Sequence, residues 1–79
     1  MLAAGLPRVR ITVASRSARP IRVSSHYPFW RANDRLEFDR RAAEGYRLDI
    51  PAGTSVHWAP GEDREVDLVG LGGAAGRPA

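Results

Sequence analysis

Cysteine is absent from this 79-residue chain, and so is lysine. The first absence excludes a disulfide framework and any cysteine-based zinc site. The chain has only two histidines, His26 and His57, which cannot close a metal site without help from carboxylates. No apolar run approaches the ~20 residues needed to span a bilayer. The opening Met-Leu-Ala-Ala-Gly-Leu is apolar for six residues and has no basic lead-in, so it does not read as a secretory signal. A cytoplasmic location is the expectation. Below about 80 residues a single core seldom supplies more than about 3–5 kcal/mol, and such chains lean on disulfides, metals or partners. With the first two options gone, partner chains are expected.

What is present is arginine. All twelve basic residues are arginine, spread from Arg8 to Arg77, and nine acidic residues lie among them between Asp34 and Asp67. A nucleic-acid binder concentrates its charge in a stripe. Here the formal charge of +3 is dispersed, and arginine without lysine reads as the codon bias of a GC-rich genome. Neither nucleic acid nor a membrane is an expected partner.

Apolar residues alternate with polar ones over short stretches. Val9, Ile11 and Val13 alternate with Arg8, Arg10 and Thr12, the period of a half-buried strand. Ser15 to Pro20 reads as a polar turn, after which Ile21 and Val23 resume the alternation. These two runs are expected to be neighbouring antiparallel strands. The aromatic stretch His26 to Trp30 contains Pro28, which predicts an edge strand or an irregular crossing. Asn33 and Asp34 mark a turn, and Leu36 and Phe38 flank Glu37 in a short extended piece.

Asp39 to Gly45 is the one segment with helical signals, an aspartate to cap the start and a glycine to end it. Tyr46, Leu48 and Ile50 then alternate with Arg47 and Asp49, and Pro51-Ala52-Gly53 turns the chain. Thr54, Val56 and Trp58 take one face while Ser55 and His57 take the other. Pro60-Gly61 suits a type II turn, and Val66 and Leu68 follow against Glu65, Asp67 and Val69. The sum is about six short strands with one short helical turn, an all-β, small antiparallel sandwich or barrel. The expected division is a lead over 1–7, a domain over 8–69 and a glycine- and alanine-rich tail over 70–79, disordered when the chain is alone.

No residues present a catalytic constellation. Ser24 and Ser25 adjoin His26, but sequence neighbours on a strand point to opposite faces, so adjacency does not make a triad. His26 reads as a partly buried or interface histidine and His57 as solvent or partner surface. Asp39 has a capping role, and Glu44 reads as a surface charge partner for Arg40 or Arg41. The Gly70 to Gly76 stretch lacks the lysine and following helix of a phosphate loop. Tyr27, Phe29 and Trp30 read as core or as interface anchors. From the residues alone, the chain is a β module for binding or assembly.

Three segments carry a resemblance: Arg19-Pro-Ile-Arg-Val-Ser-Ser-His-Tyr27, then Leu36-Glu-Phe-Asp-Arg-Arg-Ala-Ala-Glu-Gly-Tyr-Arg-Leu-Asp-Ile-Pro-Ala-Gly-Thr54, then Pro60-Gly61 with Arg64-Glu-Val-Asp-Leu-Val69. In order and spacing they resemble the urease beta subunit, over roughly Val9 to Val69. The resemblance implies a β-clip or jelly-roll-like barrel in an enzyme that hydrolyses urea to ammonia and carbamate, which decays to carbon dioxide. It implies a dinickel centre held by the alpha subunit, with no catalytic, cofactor-binding or metal residue and no cofactor in this chain. The implied partners are the urease alpha and gamma subunits, in a trimer of heterotrimers, with urease accessory proteins beside them. The chain departs from the family at Pro28, where a second histidine is usual, and at Trp30 and Arg31, where phenylalanine and glutamate are usual. Relative to the family pattern it is also short at both ends. The departures set a second expectation beside the first, a divergent paralogue that keeps the fold but no longer assembles.

Overall fold

The computed structural model describes residues 6–70. Six strands form, at Arg8–Ser15 (β1), Ile21–Ser24 (β2), Leu36–Glu37 (β3), Tyr46–Leu48 (β4), Ser55–Trp58 (β5) and Asp63–Gly70 (β6). They make two antiparallel sheets, a curled four-stranded one ordered β3-β1-β6-β4 and a two-stranded one of β2 and β5. The protein is thus a small all-β domain, a half-barrel closed by a ribbon. The expected tail lies outside the described residues except for Gly70, which ends β6.

The long β1–β6 pair is the spine. Its register sets Val9 opposite Leu68, Ile11 opposite Val66 and Val13 opposite Arg64, so one face of the pair is mostly apolar. On the other face Arg10 lies opposite Asp67 and Thr12 opposite Glu65. Period-two alternation alone fixes which residues go inward. In the ribbon, Ile21 pairs with Trp58 and Val23 with Val56, again on the inward side. The two apolar faces meet around buried Val13, Ile21, Val23, Leu36, Leu48, Trp58, Val66 and Leu68.

The expected pairing of β1 with β2 is not formed. β1 pairs with β3 and β6, whereas β2 pairs only with β5 in the other sheet. At its end, β1 is engaged elsewhere: Ser15 donates its amide to Glu62 at 2.8 Å and Arg16 donates to Arg35 at 2.7 Å. The Ser17 amide then bonds the Ser15 hydroxyl, and the Arg19 amide bonds that of Ser17. These serine-held turns carry the chain out of one sheet and into the other. Alternation marks a strand but does not say which strand lies beside it.

The segment Asp39 to Gly45 also differs from expectation. It forms a run of turns and not a helix: the Ala43 amide is shared between the Asp39 and Arg40 carbonyls, each at 3.2 Å, and Glu44 bonds Arg41. Asp39 does cap it, accepting from the Ala42 amide at 3.1 Å, and Gly45 ends it with φ +86°. Seven residues cannot repay the cost of helix nucleation without further turns. The short helix is instead a 3-10 turn at Phe29–Arg31 following Pro28. The aromatic stretch is therefore the irregular crossing, as its proline suggests. Phe29 is buried there, with ring centroids 4.9 Å from Phe38 and 6.2 Å from Trp58.

Pro60-Gly61 forms the expected turn. Gly61 has φ +74°, which glycine adopts without steric cost, and Glu62 donates its amide to Ala59 at 2.9 Å. The Glu62 carboxylate accepts from the Ala59 amide at 2.7 Å, tying the same turn from the other side. The turn thereby launches β6 directly after β5.

Candidate functional site

The polar groups that could do chemistry are dispersed over the fold. Ser25 is buried, and its hydroxyl accepts from the Gly53 amide at 3.2 Å, so it braces the Pro51–Gly53 turn. Ser24 is half-buried at the end of β2, and His26 is exposed in the turn beyond it. The serine–histidine neighbours thus make no nucleophile and base. His26 is exposed and not partly buried, which is compatible with the interface position that is the other expectation.

His57 is exposed on β5, directly across from Arg22 on β2. An arginine opposite it disfavours cation binding at that point. Among the described residues, no three histidine, aspartate or glutamate side chains are grouped to hold a metal ion. These described residues therefore offer no ligand set that fits nickel.

Five of the nine carboxylates are engaged in surface ion pairs. Asp49 pairs with Arg8 at 2.9 Å, Asp67 with Arg10 at 2.8 Å, Glu37 with Arg16 at 2.6 Å and Glu62 with Arg64 at 3.1 Å. Glu65 adds a looser contact to Arg10 at 3.6 Å. The hydrogen bond from Arg10 holds the Asp67 carboxyl below its usual range, and the same bond raises the Arg10 guanidinium. All of these pairs are solvent-accessible, which makes them a hydrated outer face and not an acid–base pair. Glu44 does not pair with Arg40 or Arg41 among the described residues, because Arg40 is committed inward.

Arg40 is the polar centre that sequence reasoning missed. Its guanidinium donates to the carbonyls of Trp30 at 3.0 Å, Ala32 at 2.9 Å, Asn33 at 2.9 Å and Leu36 at 2.7 Å. It also lies 4.4 Å from the Phe38 ring centroid. The planar five-donor fork suits such a set of converging carbonyls. Arg40 thereby closes the 30–36 loop that otherwise has little regular structure. The one sequence hint is Phe38, an aromatic two positions away on which a guanidinium can stack.

The exposed surface offers two further features. A shallow hollow opens between the sheets beside Leu48, Ile50, Val56 and Val66, rimmed by Asp49, Arg64, Glu65 and Asp67. Tyr27 is 42% exposed, the one large hydrophobic residue so exposed among those described. Its hydroxyl donates to the Arg31 carbonyl at 3.2 Å, which fixes the ring over the crossing. No helix among the described residues is long and apolar enough to cross a membrane.

Comparison with known proteins gives this surface a family. The model of the urease beta subunit family matches residues 1–76. Urease subunit beta of Saccharopolyspora erythraea is 59% identical over 70 residues, which make up 89% of this chain and 57% of that protein. The chain thus spans a little over half the length of the curated relative it matches. With a family model covering nearly all of it and an all-β domain beneath, the chain belongs to the urease beta subunit family.

Proposed function

We propose that the chain is a structural, non-catalytic beta subunit of urease, supporting a nickel-dependent complex that hydrolyses urea to ammonia and carbon dioxide. The observation that carries this reading is the family match over residues 1–76. The dispersal of serine, histidine and carboxylate side chains supports the non-catalytic half. In this reading, nickel and the groups that act on urea belong to the alpha subunit, and alpha and gamma are the assembly partners. The working unit is residues 8–69, in the cytoplasm. A small core favours the same conclusion, since a chain without disulfides gains stability from a partner.

The test is co-expression with urease alpha and gamma subunits and the urease accessory proteins. Urea hydrolysis is measured with and without this chain. Activity that requires the chain supports the reading. Full activity in its absence refutes it, and then the divergent paralogue that keeps the fold without assembling describes the protein better.

A further inference from the structure

On the four-stranded sheet, Arg8, Arg10 and Arg64 each pair with a carboxylate, as does Arg16 just beyond β1, while Arg47 bonds the Leu48 carbonyl. The ribbon's one arginine, Arg22, has no carboxylate partner among the described residues. Residues 1–33 and 50–61 contain no aspartate or glutamate, and these two stretches supply β2 and β5. β1 comes from the same acid-free stretch, but its register against acidic β6 neutralises it, with Arg10 opposite Asp67. The outward face of the ribbon has no such partner strand. There Arg22 lies opposite His57, and Ser24 opposite Ser55.

The face continues into the crossing that follows β2. The Tyr27 amide bonds the Ser24 carbonyl at 3.2 Å, placing exposed Tyr27 at the end of the ribbon. Its hydroxyl bond to the Arg31 carbonyl sets Arg31 beside it. Neither the Arg22 nor the Arg31 guanidinium has a partner among the described residues. Two unpaired guanidinium groups and an exposed tyrosine are the residue types that anchor protein interfaces. The neighbouring aromatics Phe29 and Trp30 pack into or against the core, which leaves Tyr27 as the exposed ring, and the cations are too few for a phosphate-tracking stripe.

We infer that the outward face of β2 and β5, with Tyr27 and Arg31, docks onto a carboxylate-bearing protein surface of the urease complex. This rests on the subunit reading above and deepens it by naming the face and the chemistry of its partner. Charge complementarity carries the choice of occupant: Arg22 and Arg31 lie in an acid-free stretch without a carboxylate partner among the described residues, while Arg8, Arg10 and Arg64 of β1 and β6 are paired with carboxylates. Self-association of the chain by itself, with no binding to alpha or gamma, would instead assign the face to a second copy and overturn the choice of occupant.

The experiment measures affinity of the chain for the co-expressed alpha and gamma subunits, as a function of salt. Arg22→Glu, Arg22→Gln and Tyr27→Ala are compared with Arg64→Gln on the other sheet, with circular dichroism checking the fold of each. The inference expects Arg22→Glu to weaken binding about tenfold or more, Arg22→Gln and Tyr27→Ala to weaken it less, and Arg64→Gln to leave it near native. It also expects native binding to fall with salt. Native-like binding by folded Arg22→Glu overturns it, as does equal loss in Arg64→Gln. If Arg22→Glu does not fold, Arg22→Gln and Tyr27→Ala decide by the same criterion. Failure of the native chain to bind alpha and gamma overturns the subunit reading itself. Salt-dependent binding to an RNA or DNA duplex in place of protein overturns the choice of occupant.

Discussion

Trp58 donates its indole N–H to the carbonyl of Val13 at 3.1 Å, across the gap between the two sheets. Both residues are fully buried, and Trp58 also packs near Phe29. One side chain therefore ties the ribbon, the half-barrel and the aromatic crossing together. The indole fills the core volume while its one polar atom finds a partner, the usual condition for burying a tryptophan.

Trp58→Phe removes that bond and leaves a void where the larger ring stood. The expected loss is about 2–4 kcal/mol, combining a buried unmet carbonyl with cavity formation. Urea denaturation followed by circular dichroism measures it. The slope of the transition is expected to stay constant, since the folded topology does not change.

Arg40→Lys tests the loop clamp. Lysine keeps the charge but offers three donors from a single point, against four carbonyls and an aromatic face. A loss of about 1–3 kcal/mol is expected. Amide hydrogen exchange is expected to quicken in residues 30–36 before it changes in β1 or β6.

Gly70→Ala tests a close approach. A Cβ at Gly70 would lie 2.9 Å from one ring carbon of Pro7 and 3.1 Å from another, and the Gly70 amide bonds the Pro7 carbonyl at 2.9 Å. A proline ring has little freedom to give way. Destabilisation by about 1–3 kcal/mol is expected, as for other overpacked sites. Alanine at Pro7 in the same chain is expected to restore part of it, and a thermal melt of the double variant reads this directly.

The Arg10–Asp67 pair sets a pH dependence. Its hydrogen bond to Arg10 keeps the Asp67 carboxyl below the usual range in the folded state. On acidification the unfolded chain binds this proton first, so the pair stabilises the fold above the ordinary aspartate range of about 3.9. That contribution disappears as pH falls through the lower folded value. Asp67→Asn is expected to flatten the decline in denaturation midpoint on the acid side while leaving the slope near pH 7 unchanged.

Much of this fold was legible in the sequence because alternation reports burial locally. Val13, Val23, Leu48, Trp58 and Leu68 all lie inward, as their spacing requires. The turns at Pro60-Gly61 and Gly45 were legible for a different reason, since positive φ leaves few residue choices. Strand partnership was not. β1 and β2 follow one another yet lie in different sheets, because partner choice depends on residues as far apart as Arg8 and Val69. Arg40 was hidden for a related reason. Its carbonyl partners become a site only once the 30–36 loop has folded around it. The ribbon face was visible as a stretch without acid, but only the register shows that β1 is neutralised and β2 is not.

An affinity tag on this chain, with alpha, gamma and the accessory proteins co-expressed, tests the central claim most directly. The measurement is the subunit composition and nickel content of what the tag recovers. A structural beta subunit is expected to bring down alpha and gamma in equal amounts, with nickel in proportion to alpha and none on the chain purified by itself. Recovery of the tagged chain alone from cells that contain all three subunits would contradict it.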